Sequence, residues 1–342
     1  MSASDEIAAR KNPVGLLPAA AAMAYPFILQ AFHVTVSPAG GVLSSARLIG
    51  AALLLLAAFA MPLLGLGFAF RLTGLPHPTL FDLRVRRLAY ASIAAPPLFV
   101  FTGVTLGILK LSVPDILVWI LVWLVAGLSV WLGGSTPAPE AASRPIAGWR
   151  VAHGVAAAVI ACFVLFHLTN HLFGLEGPQI HKAIMAAGRE IYRAPLIEPV
   201  LVLLLLFQVT SGIRLAWRWS SVRVDGYRIF QIGSGAYLAA FLLAHLNSAF
   251  VSARAVHHIE TDWAWASGAP AGLIHDAWNI RLLPHYALGV FFILGHLASG
   301  LRIVMLAHGV SATLANRFWI AAVVAAALIS AAIISGLCGV RI

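Results

Sequence analysis

Charged residues are scarce in this chain of 342 residues, because Asp, Glu, Lys and Arg together make up only 10% of it. Hydrophobic residues make up 61%, and the mean hydropathy is +0.92. A soluble domain carries about 25% charged residues, so this composition excludes a soluble fold and indicates a multi-pass membrane protein. The net charge of +10 would suit nucleic acid, but the basic residues lie in short loops between apolar runs, as topology signals do. We therefore expect membrane lipid, and no nucleic acid, as a partner.

Cysteine is almost absent, since Cys162 and Cys338 are the two in the chain and each lies in an apolar run. This excludes a CxxC motif and a cysteine set for an iron–sulfur cluster. A flavin-binding GxGxxG in a strand–helix context is also missing. The chain therefore has no dehydrogenase active site of its own, and whether it is an enzyme stays open. The first residues lack a signal-peptide layout, so we expect the first apolar run to be retained.

Nine apolar runs are long enough to cross a hydrocarbon core of ~30 Å, which predicts an all-α polytopic membrane protein. They cover 14–36, 47–70, 88–110, 114–134, 151–174, 195–217, 229–252, 284–306 and 318–339. We predict a four-helix N-terminal bundle over 1–135, a Pro- and Ala-rich linker over 136–149 and a five-helix domain over 150–342. Residues 82–102 can be laid on 225–245, which leaves open whether the two bundles are related copies.

With nine spans, the basic residues that flank them fall on one side of the membrane. They are Arg10, Lys11, Arg71, Arg84, Arg86, Arg87, Arg144, Arg150, Arg214, Arg218, Arg223, Arg228, Arg302 and Arg317. The positive-inside rule makes that side cytoplasmic. This predicts a bacterial-type inner membrane protein with the N-terminus in the cytoplasm and the C-terminus outside. The opposite loops, 175–194 and 253–283, carry mixed charge and are expected to be interfacial.

Histidines in the second half share membrane levels. His167 lies 16 residues past the start of its run at 151, and His245 lies 16 past the start of its run at 229. Both runs cross in the same direction, so at ~1.5 Å per residue both imidazoles lie ~24 Å from one membrane edge. One histidine from each of two helices at one level can ligate a haem iron axially. The alternative is an interhelical hydrogen bond, worth only ~1 kcal/mol.

A second level lies nearer the membrane centre. Gln208 is 13 residues into its run from 195 and His296 is 12 into its run from 284, and both runs cross the other way. His153 and His285 stand at run ends, where a half-polar ring is tolerated, and we expect both at the membrane interface. His257, His258, Glu260 and Asp262 resemble a loose metal cluster, but without a defined spacing we expect solvated loop residues there.

The last five runs resemble a known family. The stretches WRVAHGVAAAVIACFVLFHLTNHLFG, IHKAIMAAG, EPVLVLLLLFQVTSGIRLAW, GYRIFQIGSGAYLAAFLLAHLN and LGVFFILGHLASGLRI are similar to the five-helix cytochrome b membrane anchor of succinate dehydrogenase and fumarate reductase. The resemblance covers about residues 150–342. It implies that a histidine late in the first helix and one late in the third hold the iron of a distal haem b. The matching residues are His167 and His245.

For a proximal haem the resemblance implies one ligand from the second helix and one from the fourth, which match Gln208 and His296. Glutamine departs from the family pattern, so one haem site is complete. Gln208 could hydrogen-bond His296 as the remnant of a lost site, or His296 could hold a second haem alone. His171 and His181 would contact a haem propionate or a quinone, and plain exposure at the membrane interface is a further alternative for His171.

The leading interpretation is a membrane cytochrome b of a respiratory chain that transfers electrons between a partner and a membrane quinone. The resemblance implies cytoplasmic flavoprotein and iron–sulfur subunits as partners. One alternative is a haem-free membrane scaffold, sensor or transporter that keeps the fold, favoured by Gln208 and by the lack of such histidines in the first half. Another is a stand-alone haem reductase that exchanges electrons between quinone and an outer acceptor.

Overall fold

A computed structural model of the chain describes residues 11–37, 43–138 and 146–342, and helices fill most of these ranges. The longer helices are α1 Leu17–Val36, α2 Ser45–Thr73, α3 Leu80–Ile93, α4 Ala95–Ile108, α5 Asp115–Leu132, α6 Ala147–Leu172, α7 Pro178–Tyr192, α8 Ile197–Trp219, α9 Gly226–Leu246, α10 Leu282–Ala307 and α11 Ala312–Leu337. Part of the predicted linker, residues 139–145, lies outside the described residues, as do residues 1–10.

Eight helices of the described chain are long and apolar enough to span a membrane, and α3 with α4 adds a ninth if the pair is one span. The chain is therefore an all-α multi-pass membrane protein, as its composition predicts. The predicted run 88–110 is wrong in shape, because the helix begins at Leu80 and bends by 66° between α3 and α4. Pro96 and Pro97 open α4, and neither has an N–H to continue the hydrogen bonding of α3.

The predicted interfacial loop 175–194 contains a helix instead. Pro178 opens α7, where its missing N–H costs nothing. One face, formed by His181, Met185 and Gly188, is buried against the bundle. Lys182 and Glu190 lie on the exposed side. α7 is therefore an amphipathic helix that packs across one end of the bundle.

We name the two ends of the bundle by their contents. The α7 end also holds the C-terminal residue Ile342, whose N–H donates to the Leu175 carbonyl at 3.1 Å. The opposite end, the arginine end, holds the turn between α8 and α9 and the start of α6. Six arginines at this end contact that turn or a neighbouring helix: Arg84, Arg86, Arg87, Arg214, Arg228 and Arg302.

The N-terminal half packs along α9 and α10 and is fixed at both ends. At the arginine end, Arg86 Nη1 donates to the Ser220 carbonyl at 3.0 Å. At the α7 end, Arg281 Nη1 lies 2.6 Å from Asp115 Oδ2, and the arginine is only 8% exposed. The segments 82–102 and 225–245, which can be laid on each other in sequence, differ in shape, because the first is bent and the second is one continuous helix.

A π-helix, Asn247–Val256, extends α9 toward the α7 end. Such i to i+5 bonding is rare and is concentrated at functional sites. Its Arg254 forms a 2.6 Å ion pair with Glu198 at the start of α8. The extension therefore ties α9 to α8 beside the cavity described next.

Candidate functional site

A cavity lies at the α7 end between α6, α7, α8, α9 and α10. Its volume is about 230 Å³. Apolar side chains form most of its wall, among them Phe163, Leu205, Phe241, Val290 and Ile293. Polar side chains concentrate toward α7 and the π-helix, and they are Asn170, His171, His181, Arg189, Arg193, Glu198, Arg254 and Asp262. The chamber therefore has an apolar body and a polar mouth.

His167 of α6 and His245 of α9 both line this cavity. Their ring centres are 6.2 Å apart, and the ring planes make an angle of 71°. An imidazole nitrogen lies about 2 Å from a bound transition metal, so two imidazoles on opposite sides of one ion have ring centres ~6 Å apart. The structure thus brings together the two residues that sequence pairs, at a spacing that suits axial ligation of one iron.

Two more histidines continue from His167 toward the mouth. The ring centre of His171 is 4.7 Å from that of His167, and the ring centre of His181 is 5.2 Å from that of His171. Asn170 Nδ2 donates to His181 Nε2 at 3.2 Å, which leaves the ring proton of His181 on Nδ1. His181 is 2% exposed, so it is buried although it lies in the segment 175–194 that sequence predicts to be an interfacial loop.

The charge of His181 is set by burial. Burial lowers its pKa to about 4, and the nearby Arg189 guanidinium adds to the shift. The ring is therefore neutral at pH 7. A neutral imidazole with its proton on Nδ1 can donate one hydrogen bond from that atom.

Four buried polar atoms of the cavity lining have no hydrogen-bond partner among the described residues: His171 Nδ1, His181 Nδ1, Asn170 Oδ1 and Arg189 Nε. Leaving such an atom unpaired costs about 1–3 kcal/mol. Buried polar groups in native proteins are nearly always paired. A cluster of unpaired ones around one cavity indicates a ligand with polar groups at that end.

The mouth carries more positive than negative charge. Arg189 pairs with Glu260 at 2.8 Å, and Arg254 pairs with Glu198. Arg193 has no ion-pair partner in the described part of the chain, and its Nη2 donates to Thr261 Oγ1 at 3.0 Å. Burial lowers the pKa of Arg193, and repulsion from Arg189 and Arg254 adds to that shift. An amphiphile with acidic groups at one end matches this arrangement.

A second histidine pair lies nearer the arginine end. The ring centres of His153 in α6 and His296 in α10 are 6.4 Å apart. His153 Nδ1 lies 2.7 Å from Ser211 Oγ, and His296 Nδ1 lies 3.0 Å from Ser234 Oγ. A hydrogen bond at one ring nitrogen orients the imidazole and leaves the other for a ligand. The ring of His296 also has a hydrogen-bond contact with the Gln231 backbone.

Gln208 is not placed where sequence suggests. Its Nε2 donates to the His153 carbonyl at 2.9 Å, and it is His153 that faces His296. Counting residues from run ends missed His153, because α6 begins at Ala147, four residues before the predicted start at 151, and the helices end at staggered heights. Spacing within one helix carries no signal for this pair.

Two further histidine predictions have clear outcomes. His285 is 1% exposed and therefore buried inside the protein, where its ring packs 4.6 Å from Phe241. Glu260 binds Arg189, and Asp262 caps the helix Trp263–Ala266, so they are not assembled with His257 and His258. In the described ranges no group of three or more His, Cys, Asp or Glu side chains could hold a metal ion.

Together, fold and site define a polytopic helical membrane protein with a histidine-lined cavity at one end. Comparison with protein-family models, with curated proteins and with solved structures finds no match to this chain. The function is therefore argued from the residues and their geometry.

Proposed function

We propose that this protein is a membrane cytochrome b that holds haem b between His167 and His245 and transfers electrons between a partner and a membrane quinone. The observation that carries the proposal is the pair of imidazoles, from two helices, that line one apolar cavity with ring centres 6.2 Å apart. The unpaired polar atoms at the mouth of the same cavity support it.

The residues present fit a haem in chemistry. When bound, haem supplies an iron that cycles between two oxidation states. His167 and His245 would hold that iron, the apolar walls would exclude water from the macrocycle, and Arg193 would face its carboxylates. The cavity of about 230 Å³ is smaller than the ~300 Å³ at the lower end of ligand sites. Aromatic side chains of the wall, such as Phe163, would have to change rotamer to admit the macrocycle.

A quinone would bind at the mouth, beside His171 and His181. A quinone carbonyl needs a hydrogen-bond donor, and the Nδ1 atoms of both rings are buried without a partner in the described chain. His181 belongs to the buried face of α7 and lines the cavity beside His171. We assign these two residues to positioning the quinone ring.

The second histidine pair supports a second haem. His153 and His296 have nearly the same ring spacing as the first pair, 6.4 Å, and both rings are oriented by serine hydroxyls. In this assignment Gln208 is no ligand, but it fixes the backbone of α6 next to His153. The two haem sites would lie one above the other along α6.

The arginine end would face the cytoplasm. By the positive-inside rule, the arginines gathered there would put the α7 end and Ile342 outside a bacterial-type inner membrane. Flavoprotein and iron–sulfur subunits, if they supply the electrons, would dock at this arginine end. The chain has no dehydrogenase site of its own, so it would serve as the electron-transfer subunit.

The visible spectrum of the purified protein, expressed with haem available, tests the proposal. We expect a sharp reduced α-band of bis-imidazole haem b. His167→Ala and His245→Ala should each lose at least the band of the site at the α7 end, because one imidazole cannot hold six-coordinate iron.

His308→Ala is the matched control, since His308 is exposed at the end of α10 and bonds the Val304 carbonyl. Its spectrum should equal that of the wild type. A colourless wild-type protein would overturn the proposal in favour of a haem-free scaffold, sensor or transporter. If both alanine variants keep the wild-type spectrum, residues other than His167 and His245 ligate the haem.

The ratio of haem to protein tests the second site. We expect about two haems per chain in the wild type and about one in His153→Ala or His296→Ala, because each pair holds one iron. Gln208→Leu should keep both haems. A ratio of one in the wild type, unchanged by loss of His153, would limit the protein to the site at the α7 end.

A further inference from the structure

A second pocket opens at the arginine end, between the turn after α8, the start of α9 and the last turns of α10. Its polar lining consists of Tyr227, Arg228, Gln231, Ser299 and Arg302, together with Asp225. Trp219, Val224 and Ile303 complete the wall. None of these residues belongs to the cavity at the α7 end.

Arg302 is the unusual member of this pocket. It is 9% exposed, and its Nε donates to Asn316 Oδ1, a neutral amide, at 2.8 Å. Its guanidinium lies 3.7 Å from the ring centre of Tyr227. Within the described ranges no carboxylate pairs with it, and no hydrogen-bond partner is found for its Nη atoms. A buried cation without a counter-ion costs several kcal/mol, so an anion in the adjoining pocket would stabilise it.

Arg228 adds a second positive charge to the pocket. Its guanidinium stacks 4.7 Å from the ring centre of Trp219, and Nη1 donates to Gln231 Oε1. Asp225 is the one carboxylate of the lining, and its Oδ1 accepts the Arg228 main-chain N–H at 2.8 Å as the cap of α9. The pocket therefore holds two guanidinium groups and one carboxylate that is already hydrogen-bonded.

We propose that this pocket binds the headgroup phosphate of an anionic phospholipid between Arg228 and Arg302. A phosphate oxyanion accepts paired hydrogen bonds from guanidinium groups. The pocket lies where the helices end, and Trp219, Tyr227 and Trp319 form the aromatic belt typical of a membrane interface. Basic pockets between transmembrane helices on the cytoplasmic side bind anionic headgroups.

The lipid-exposed side of α10 begins directly beside the pocket. Leu301 and Val304 flank Arg302 and are 48% and 51% exposed, which provides an apolar track for acyl chains. A free inorganic phosphate would use the two arginines alone and would gain nothing from this track. The combination of a charged pocket and an adjacent apolar surface favours a phospholipid.

The full chain in phosphatidylcholine nanodiscs tests the proposal. Phosphatidylglycerol is titrated into the bilayer, and bound lipid is counted by native mass spectrometry while thermal unfolding is followed. We expect phosphatidylglycerol, but not added phosphatidylcholine, to be retained and to raise the unfolding temperature. Arg228→Gln and Arg302→Gln should each weaken retention about fivefold, the equivalent of ~1 kcal/mol per basic residue. Arg228→Gln leaves the buried Arg302 in place, so it still tests the pocket if Arg302→Gln fails to fold.

Arg223→Gln is the control, because Arg223 is exposed in the same turn and does not line the pocket. Equal effects of both lipids, or equal retention by the pocket variants and the control, would overturn the proposal. If inorganic phosphate alone raises the unfolding temperature, the ligand of the pocket is a free oxyanion and not a lipid. If phosphatidylglycerol is retained by haem-free preparations but not by haem-loaded ones, the two arginines hold haem carboxylates in the loaded protein. A colourless protein would overturn the haem proposal and leave this experiment valid.

Discussion

Four imidazoles in one cluster at the end of a bundle of membrane-spanning helices are an expensive choice of residue. His245, His167, His171 and His181 follow one another with ring centres 4.7 to 6.2 Å apart. Polar side chains within a membrane usually serve a function. The unpaired Nδ1 atoms of His171 and His181 show that the protein fold alone does not satisfy this cluster.

His181 should make stability depend on pH. Burial holds its pKa near 4 in the folded chain, below the ordinary value of about 6.5. The unfolded chain therefore binds this proton first as pH falls. The stabilisation is complete above about pH 6.5, is lost between about pH 6.5 and 4, and changes no further below that. Thermal unfolding in detergent at a series of pH values measures it.

His181→Gln, which keeps a hydrogen-bonding group next to Asn170, should flatten the pH dependence in that window. His308→Gln, an exposed histidine, should leave the wild-type curve unchanged. If His181→Gln and the wild type fall in parallel from pH 6.5 to 4, another group is responsible.

Among the elements, α7 depends most on close packing. A Cβ at Gly188 would collide with the Cε1 and Cζ atoms of Phe166 in α6 and would come within 3.0 Å of Tyr192 Cε1. Any side chain at this position would force the Phe166 ring to move, because the backbone of α7 lies directly on that ring. The helix forms one wall of the cavity through His181, Met185 and Arg189, so its distance from α6 sets the width of the mouth.

Gly188→Val should destabilise the protein by about 1–3 kcal/mol, the usual cost of overpacking. Ala187→Val is the control, since Ala187 is the exposed neighbour in the same helix. Chemical unfolding in detergent measures both. Adding Phe166→Ala to Gly188→Val should restore part of the lost stability. If it restores none, the strain does not come from the contact with Phe166.

At the scale of the whole molecule, a buried ion pair joins the N-terminal half to the histidine-bearing half, in addition to shared apolar packing such as that of Ile93 with Ile232. The pair of Asp115 and Arg281 joins α5 to the start of α10, with the arginine almost fully buried. The Arg281 guanidinium also lies 4.4 Å from the ring centre of Phe99 in α4. These contacts make one folded unit of two halves that sequence treats as separate bundles.

Asp115→Asn should destabilise the protein by about 3–5 kcal/mol, because it leaves a buried arginine without its counter-ion. Replacing both residues, Asp115→Leu with Arg281→Leu, should recover most of this loss. Glu176→Gln, an exposed carboxylate at the same end, should have no effect on the unfolding transition. A loss from Asp115→Asn no larger than that of Glu176→Gln would show that the pair is screened by solvent.

Sequence predicted the features that repeat along the chain. Apolar runs of membrane length gave the spans, and equal residue counts gave the level of His167 and His245. Sequence could not predict contacts between distant helices, such as His153 with His296, because helix stagger is set by packing. The helix α7 was missed because its mixed charge suggested a loop, and the proline pair at 96–97 was not recognised as a break.

One helix, α6, contributes a histidine to both pairs. His153 and His167 are 14 residues apart, or ~21 Å along the axis, and 14 residues make nearly four full turns. Both rings therefore project from almost the same side of one rigid rod. Any rotation or axial sliding of α6 changes both ring-to-ring distances at once. A displacement of α6 caused at one histidine pair would therefore alter the other pair without a change in α9 or α10.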